Sequence, residues 1–371
     1  MSRVVHLHIG APKTGTTYLQ DRLTLNAASL AEHGVHFPTK SRFVDADLFH
    51  FRAALDLLGQ DWGGDPGHAQ GAWDTMVRRV NRRSGTVIIS HEILAPAKPD
   101  RIATAMNDLS GSEVHIVYSA RDLARQLPAA WQESIKQGRK WSFRAFLRAV
   151  EKERAWFYRA FDLPEVLGSW GAHLPPDRVH VVTVPQSATA DEDASLPGRG
   201  DTLWLRFCEV FGIDPAWAPL DSQRSNRSLG VTETQLLRKL NRRMDRETRR
   251  EAQFDELIRG MLAQEELVRS RSPRVTMPPD RFDWIEAQTE LWIDWLQGSG
   301  VHVVGSVDDL RPVRPEPDAE WVDPDRVRKR KVLRAAMDAL EAMTREAAKR
   351  PDPERQLGQR VRSNVQRLRD R

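Results

Sequence analysis

A single cysteine, Cys208, stands in a chain of 371 residues. No intrachain disulfide can brace this fold, and a reducing compartment suits it. Cys208 lies in "LWLRFCEVFGI", an apolar helical pattern, so a buried thiol is expected. No stretch approaches 18 consecutive apolar residues, which leaves no candidate membrane span. The opening "MSRVVHLHIG" is a short strand pattern without an apolar core of signal-peptide length, so the cytoplasm is the expected location. Charge is nearly balanced: 56 Lys and Arg against 52 Asp and Glu leave +4 with His neutral. So small an excess suits an anionic small ligand, and no nucleic-acid-binding motif accompanies it. A repeat of fixed period is also lacking.

What is present is an alternation of apolar strands and amphipathic helices. Strand patterns occupy residues 4–9, 85–94, 113–122, 177–185 and 300–306, with a short one in "GVHFP" before Pro38. Helical patterns cover residues 16–33, 73–83, 99–109, 141–160 and 163–174, and one that Asp201 would cap. "LPAAWQESIKQ" is also helical, with Pro128 expected in its first turn. Continuous Val- and Ile-rich strands between helices predict an α/β fold, a central parallel sheet with helices on both faces. Residues 1–312 form the α/β domain in this reading. Residues 232–272 form a helical insertion with Leu236, Leu240 and Met244 on one stripe. Residues 313–371 form a charged helical extension. It carries the stripe Leu333, Met337, Leu340 and, beyond Pro351 and Pro353, the stripe Leu357, Val361, Val365, Leu368. Acidic residues interrupt its basic face, which favours packing or homo-oligomerisation over a membrane surface.

Chemistry concentrates in "HIGAPKTGTTYLQ", a strand, a glycine-bearing loop and a helix. Such a turn points backbone N–H groups and a helix dipole at an anion. Gly10 and Gly15 have P-loop spacing, but the residue after Gly15 is Thr16, and the lysine, Lys13, lies inside the loop. The bland alternative is a tight strand-to-helix turn. No later strand ends in an obvious Walker-type acid: the strand 113–122 ends in Arg121-Asp122. "VIISHEIL" places Ser90, His91 and Glu92 at the end of another core strand, where α/β active sites gather. His6 and His8 alternate with apolar residues and are expected to be structural, since no third metal ligand is evident.

"PKTGTT", Pro12 to Thr17, resembles the 5′-phosphosulfate loop of sulfotransferases that use 3′-phosphoadenosine 5′-phosphosulfate (PAPS), in particular the bacterial single-domain members. The resemblance of strand and motif order covers about residues 3–310. It implies a P-loop type of fold, PAPS as cofactor with 3′-phosphoadenosine 5′-phosphate (PAP) as product, and no metal. It implies that Pro12, Lys13, Thr14, Gly15, Thr16 and Thr17 grip the 5′ end and that Lys13 assists transfer. It gives Arg121 the 3′-phosphate. The family's serine eight residues later is Ala129 here, leaving Gln126, Ser134 or a backbone N–H to replace it. A later cluster, Arg224, Asn226, Arg227 and Ser228, would complete the 3′-phosphate site. The base that activates an acceptor hydroxyl or amine is Glu92, with His91 second. The acceptor class is a carbohydrate, glycoconjugate or small metabolite. The rival readings are a P-loop kinase or NTPase and a non-catalytic adenylate-binding module.

Overall fold

The computed structural model describes residues 3–39, 46–62, 64–186, 199–222, 228–245, 247–250, 254–269 and 272–349. Contacts divide the chain into two compact units. The first comprises Met1–Ser134, Trp141–Asn226 and Val275–Val322; the second comprises Ile135–Lys140, Arg227–Arg274 and Asp323–Arg371.

The first unit is built on one six-stranded sheet: β1 (Arg3–His8), β2 (Val35–His36), β3 (Gly85–Ser90), β4 (Glu113–Ala120), β5 (Val179–Thr183) and β6 (His302–Val304). All pairings are parallel, in the order β2-β3-β1-β4-β5-β6. The helices that matter below are α1 (Thr16–Leu25), α2 (Ala46–Leu58), α3 (Pro99–Asp108), α4 (Leu123–Lys136), α5 (Leu163–Gly171) and α6 (Arg199–Phe211). One sheet face presents Ile88, Val117, Val182 and Val304 to Leu19 and Leu23 of α1 and to Trp204, Phe207 and Phe211 of α6. On the other face Tyr118 Oη donates to the Ala160 carbonyl at 3.0 Å, and Trp170 of α5 donates to the Leu94 carbonyl at 3.2 Å. Burial on both faces is why the strands read as unbroken apolar runs.

Three helices differ from the periodicity. The expected helix 16–33 breaks at Asn26, whose amide nitrogen donates to the carbonyls of Arg22 and Leu220 while its oxygen accepts from Leu220 N–H. The expected helix 141–160 is two, Phe143–Glu151 and Trp156–Phe161, with Glu153 between them at φ +58°. α4 begins at Leu123, so Pro128 lies in its interior rather than its first turn.

Four histidines cross the sheet face that α6 covers. His6 pairs in register with His115, and His180 with His302. His115 Nδ1 lies 2.8 Å from His180 Nε2, and His180 Nδ1 lies 3.0 Å from His302 Nδ1. His115 Nε2 meets Glu113 Oε1 at 3.0 Å, and Arg178 stands 3.7 Å from the other Glu113 oxygen. Burial, reinforced by the neighbouring histidines, lowers His6 to about 3 and His180 to about 4. Both are neutral in the fold and gain a proton on unfolding in acid.

In the second unit, α7 (Val231–Arg243) begins with Val231 N–H donating to the Pro273 carbonyl at 2.8 Å. Asn241 of α7 donates to the carbonyls of Ile135 and Arg139 at 2.7 and 2.9 Å. The buried side of α7 runs through Thr234, Leu237 and Asn241, so the expected stripe Leu236, Leu240, Met244 is not its packed face. The helical insertion is also not continuous. A π-helix, Asp255–Glu266, succeeds α7 after a short 3₁₀ turn. The first unit's Trp-rich helix is α8 (Phe282–Ser299), and the second unit ends its described part in α9 (Lys329–Lys349). α9 packs through Val332, Ala335, Ala339 and Ala342, not through Leu333, Met337 and Leu340. Small side chains win that face because they allow close helix approach. Among the described residues no helix is long and apolar enough to cross a membrane.

The histidines yield a test. A histidine held below its ordinary 6.5 stabilises the fold fully above that value and loses the contribution as pH falls toward its native one. Unfolding free energies from urea titration are therefore expected to drop between pH 6.5 and 4, with a slope of about 1.4 kcal/mol per pH unit for each such histidine. His6→Phe should flatten that slope; an unchanged slope counts against the neutral assignment.

Candidate functional site

β1 lies between β3 and β4. The chain leaves β1 toward β2 on one side and β4 toward β5 on the other. The carboxyl ends of β1 and β4 therefore flank the switch point of the sheet, the place where α/β sheets receive ligands. The loop from Gly10 to Gly15 follows β1 there.

Backbone geometry explains the loop's two glycines. At Gly10, φ +106°, a Cβ would come within 2.9 Å of Glu92 Cα and Cβ. At Gly15, φ +101°, a Cβ would come within 2.9 Å of Leu203 Cδ2. Lys13 is left-handed without being glycine, at φ +67°, a conformation that costs about 1–2 kcal/mol and gathers at functional sites. Gly15 is the N-cap of α1 and offers no side-chain cap. The intrahelical ladder starts with Leu19 N–H on the Gly15 carbonyl, so the N–H groups of Thr16 and Thr17 lie in the first turn without helical partners.

Beneath the loop lies a buried polar network. His8 Nδ1 is 2.7 Å from Ser90 Oγ and His8 Nε2 is 3.1 Å from Ser119 Oγ. Ser119 Oγ is 2.6 Å from Thr14 Oγ1, which donates to the Ala11 carbonyl at 2.5 Å. Burial, then the neighbouring His91, lowers His8 to about 3, so it works as a neutral bridge. His8 is thus structural, as its alternation in β1 predicts, and Thr14 spends its hydroxyl on loop shape. Gln126 does the same: its amide donates to the Pro12 carbonyl at 2.9 Å.

Two donors point elsewhere. Thr16 Oγ1 is buried and has no hydrogen-bond partner. Arg121, at the end of β4, donates through Nη1 to the Lys13 carbonyl at 3.1 Å, while its buried Nε has no partner. Burial and then the charge of Arg125 lower Arg121 to about 10. Asp122 does not neutralise it by hydrogen bonding, because its carboxylate accepts from Arg125 N–H at 2.9 Å and from Arg125 Nε. The Lys13 ammonium reaches Glu133 Oε2 of α4 at 3.0 Å.

β3 ends at Ser90, so His91 and Glu92 are freed from strand alternation. His91 caps the 3₁₀ turn Glu92–Leu94, its Nδ1 accepting from Ile93 N–H at 3.2 Å, and burial lowers its pKa. The Glu92 carboxylate is partly exposed, 3.9 Å from His91 Nδ1. The His91 ring lies 5.2 Å from Phe51 of α2, and Phe51 lies 5.4 Å edge-on to Trp62, a residue that is 43% exposed. An aromatic ledge thus adjoins the strand end that bears Glu92.

The structure brings together Pro12, Lys13, Thr14, Gly15, Thr16, Thr17, Arg121 and Gln126, with His91 and Glu92 alongside Gly10. Ser134, a proposed replacement for the serine missing at Ala129, donates to the Trp131 carbonyl and accepts from Trp141 Nε1 at 2.8 Å. Arg224 and Asn226 lie outside the described residues. Ser228 is exposed in the second unit. The sequence reading missed Glu133, Ser119 and Phe51. Glu133 carried a signal, being in step with Arg125 and Ala129 at four-residue intervals, and Ser119 is the one aliphatic hydroxyl in β4. Compared with protein-family models, curated proteins and solved structures, the chain matches none.

The two loop threonines can be told apart by stability. Thr14→Val removes a buried hydroxyl with two partners and is expected to cost about 1–3 kcal/mol. Thr16→Val replaces a buried hydroxyl that has no partner and should leave the fold undiminished or more stable, by up to the roughly 1–3 kcal/mol that an unsatisfied buried polar group costs. Equal losses in urea unfolding would refute the assignment.

Proposed function

We propose that this protein is a cytoplasmic sulfotransferase that moves a sulfonate group from PAPS to a hydroxyl or amine of a carbohydrate, glycoconjugate or small metabolite. One observation carries the reading. Unspent donors gather at one loop at the mouth between β1 and β4: the Thr16 hydroxyl, the N–H groups of Thr16 and Thr17 at the start of α1, and Nε of Arg121. Such a set fits phosphate and sulfonate oxygens. When bound, PAPS supplies a sulfonate whose bond to the 5′-phosphate oxygen breaks as the acceptor's oxygen or nitrogen bonds to sulfur.

In this reading the α1 N-terminus, Thr16, Thr17 and Gly15 hold the 5′ end, and Arg121 holds the 3′-phosphate. Lys13 carries the positive charge that the departing 5′-phosphate oxygen needs, and to do so it exchanges Glu133 for that oxygen. Glu92 receives the acceptor's proton. Its carboxylate is partly open, whereas His91 spends Nδ1 on the Ile93 N–H and is nearly enclosed. Phe51 and Trp62 offer an apolar wall for a ring-shaped acceptor beside that base.

Thermal-shift titration with PAP, PAPS, ATP and ATP–Mg²⁺ tests the cofactor. PAP and PAPS are expected to raise the melting temperature; stabilisation by ATP–Mg²⁺ alone overturns the reading in favour of phosphoryl transfer. Arg121→Ala should weaken PAP binding by tenfold or more, since hydrogen bonds from a charged donor contribute about 1.5–3 kcal/mol.

Transfer from PAPS tests the base. Glu92→Gln is expected to lower turnover by about 10²–10⁴-fold with PAP affinity retained. A variant as fast as the parent would remove Glu92 from the mechanism, and the same loss in His91→Ala alone would move the role there.

A further inference from the structure

α9 has two faces with different fates. Its Ala-rich face is buried within the second unit through Val332, Ala335, Ala339 and Ala342. Nearly opposite stands an exposed row of large apolar side chains: Leu333 is 64% exposed, Met337 58% and Leu340 59%. Isolated exposed apolar residues are ordinary, but three in one row on one helix are not. Their spacing is four, then three. Thr344 and Ala347, also exposed, continue it at four and three. That is a heptad seam, with Leu333, Leu340 and Ala347 at d and Met337 and Thr344 at a.

The flanking positions specify the occupant. The e positions hold Arg334, Glu341 and Ala348, and the g positions hold Lys329, Ala336 and Met343. A parallel copy of the helix would set Arg334 against Lys329 of the other chain and leave Glu341 opposite an alanine. An antiparallel copy sets Arg334 against Glu341 twice, once at each end of a two-fold axis near Met337. It also stacks Met337 on Leu340, and Ala336 on Met343. Glu341 already meets Arg345 on its own helix, yet its side chain remains 61% exposed and open to a second cation. A self-complementary patch with this charge order is what a two-fold homodimer requires.

We infer that the Leu333–Met337–Leu340 face of α9 is a homodimerisation surface, on which a second copy of this chain docks its own α9 in antiparallel orientation. The seam spans only about two heptads. Its buried area falls below the roughly 1,200 Å² of a standard interface, so the dimer forms reversibly and with modest affinity.

Sedimentation velocity on the full chain, from about 1 to 200 µM, provides the test. The weight-average mass is expected to rise toward two chains with concentration. Met337→Lys and Leu340→Glu, both exposed positions, should each raise the half-dimer concentration at least tenfold while leaving the circular dichroism spectrum and melting temperature in place. Arg334→Glu should weaken the dimer, and adding Glu341→Arg should restore it. A chain that stays monomeric throughout, or a dimer indifferent to Met337→Lys, overturns the inference. Failure of the charge exchange to restore association overturns the antiparallel arrangement. A monomer that dimerises only after Leu357, Val361 and Val365 are changed to Asp assigns the seam to the chain's own C-terminal segment and likewise refutes docking of a second copy.

Discussion

The hydrogen bond between the hydroxyls of Ser119 and Thr14, 2.6 Å long and sealed from water, is the joint on which the mouth of the sheet depends. It couples β4 to the loop leaving β1, and through His8 it couples both to Ser90 at the end of β3. In so dry a place a hydrogen bond gains strength and an unpaired polar atom costs heavily, so the network is stable only when complete. Completeness fixes the path of the loop. That path obliges Gly10 to lie against Glu92, turns Lys13 into a left-handed conformation, and leaves the first turn of α1 without a cap. Lys13's carbonyl then becomes the rest on which Arg121 is held.

Charge around this mouth is arranged unevenly. Asp122 might have quenched Arg121, but Arg125 takes both of its oxygens. Arg121 is therefore left with buried donor capacity and a guanidinium destabilised by burial. Lys13, by contrast, is paired, its ammonium held by Glu133 of α4 at 3.0 Å. The lower part of the same sheet face is polar in another manner. There, His6, His115, His180 and His302 lie side by side, and His6 Nδ1 has no partner. The upper histidine is saturated and shapes the loop; the lower group makes the sheet sensitive to acid.

The second unit follows a different packing rule. Close helix contact on one side of α9 is made by alanines, which frees the larger side chains of that helix for the opposite side. The same separation appears in α7, where Asn241 rather than a leucine occupies a central buried place and satisfies the carbonyls of Ile135 and Arg139. Apolar periodicity alone does not pick out the packed face of either helix, because beside Leu237 in α7 and Val332 in α9 that face is completed by Thr234 and Asn241 or by alanines, which a hydrophobic count passes over.

The order of strands and helices, the all-parallel sheet and the loop with its displaced lysine were all determined by sequence, because each rests on local pattern: apolar runs of strand length, helical periodicity and glycines at fixed spacing. His91 and Glu92 could be placed at a strand end for the same reason. What only the tertiary structure decided are relations across long separations. Lys13 and Glu133 are 120 residues apart, Thr14 and Ser119 are 105, and Asn26 finds Leu220 at 194. No local rule states which acid quenches which cation, which threonine of "TGTT" spends its hydroxyl on the loop, or which of two stripes on a helix is buried. Those outcomes follow from which side chains the sheet order brings within hydrogen-bonding or packing distance, and that is a property of the assembled chain.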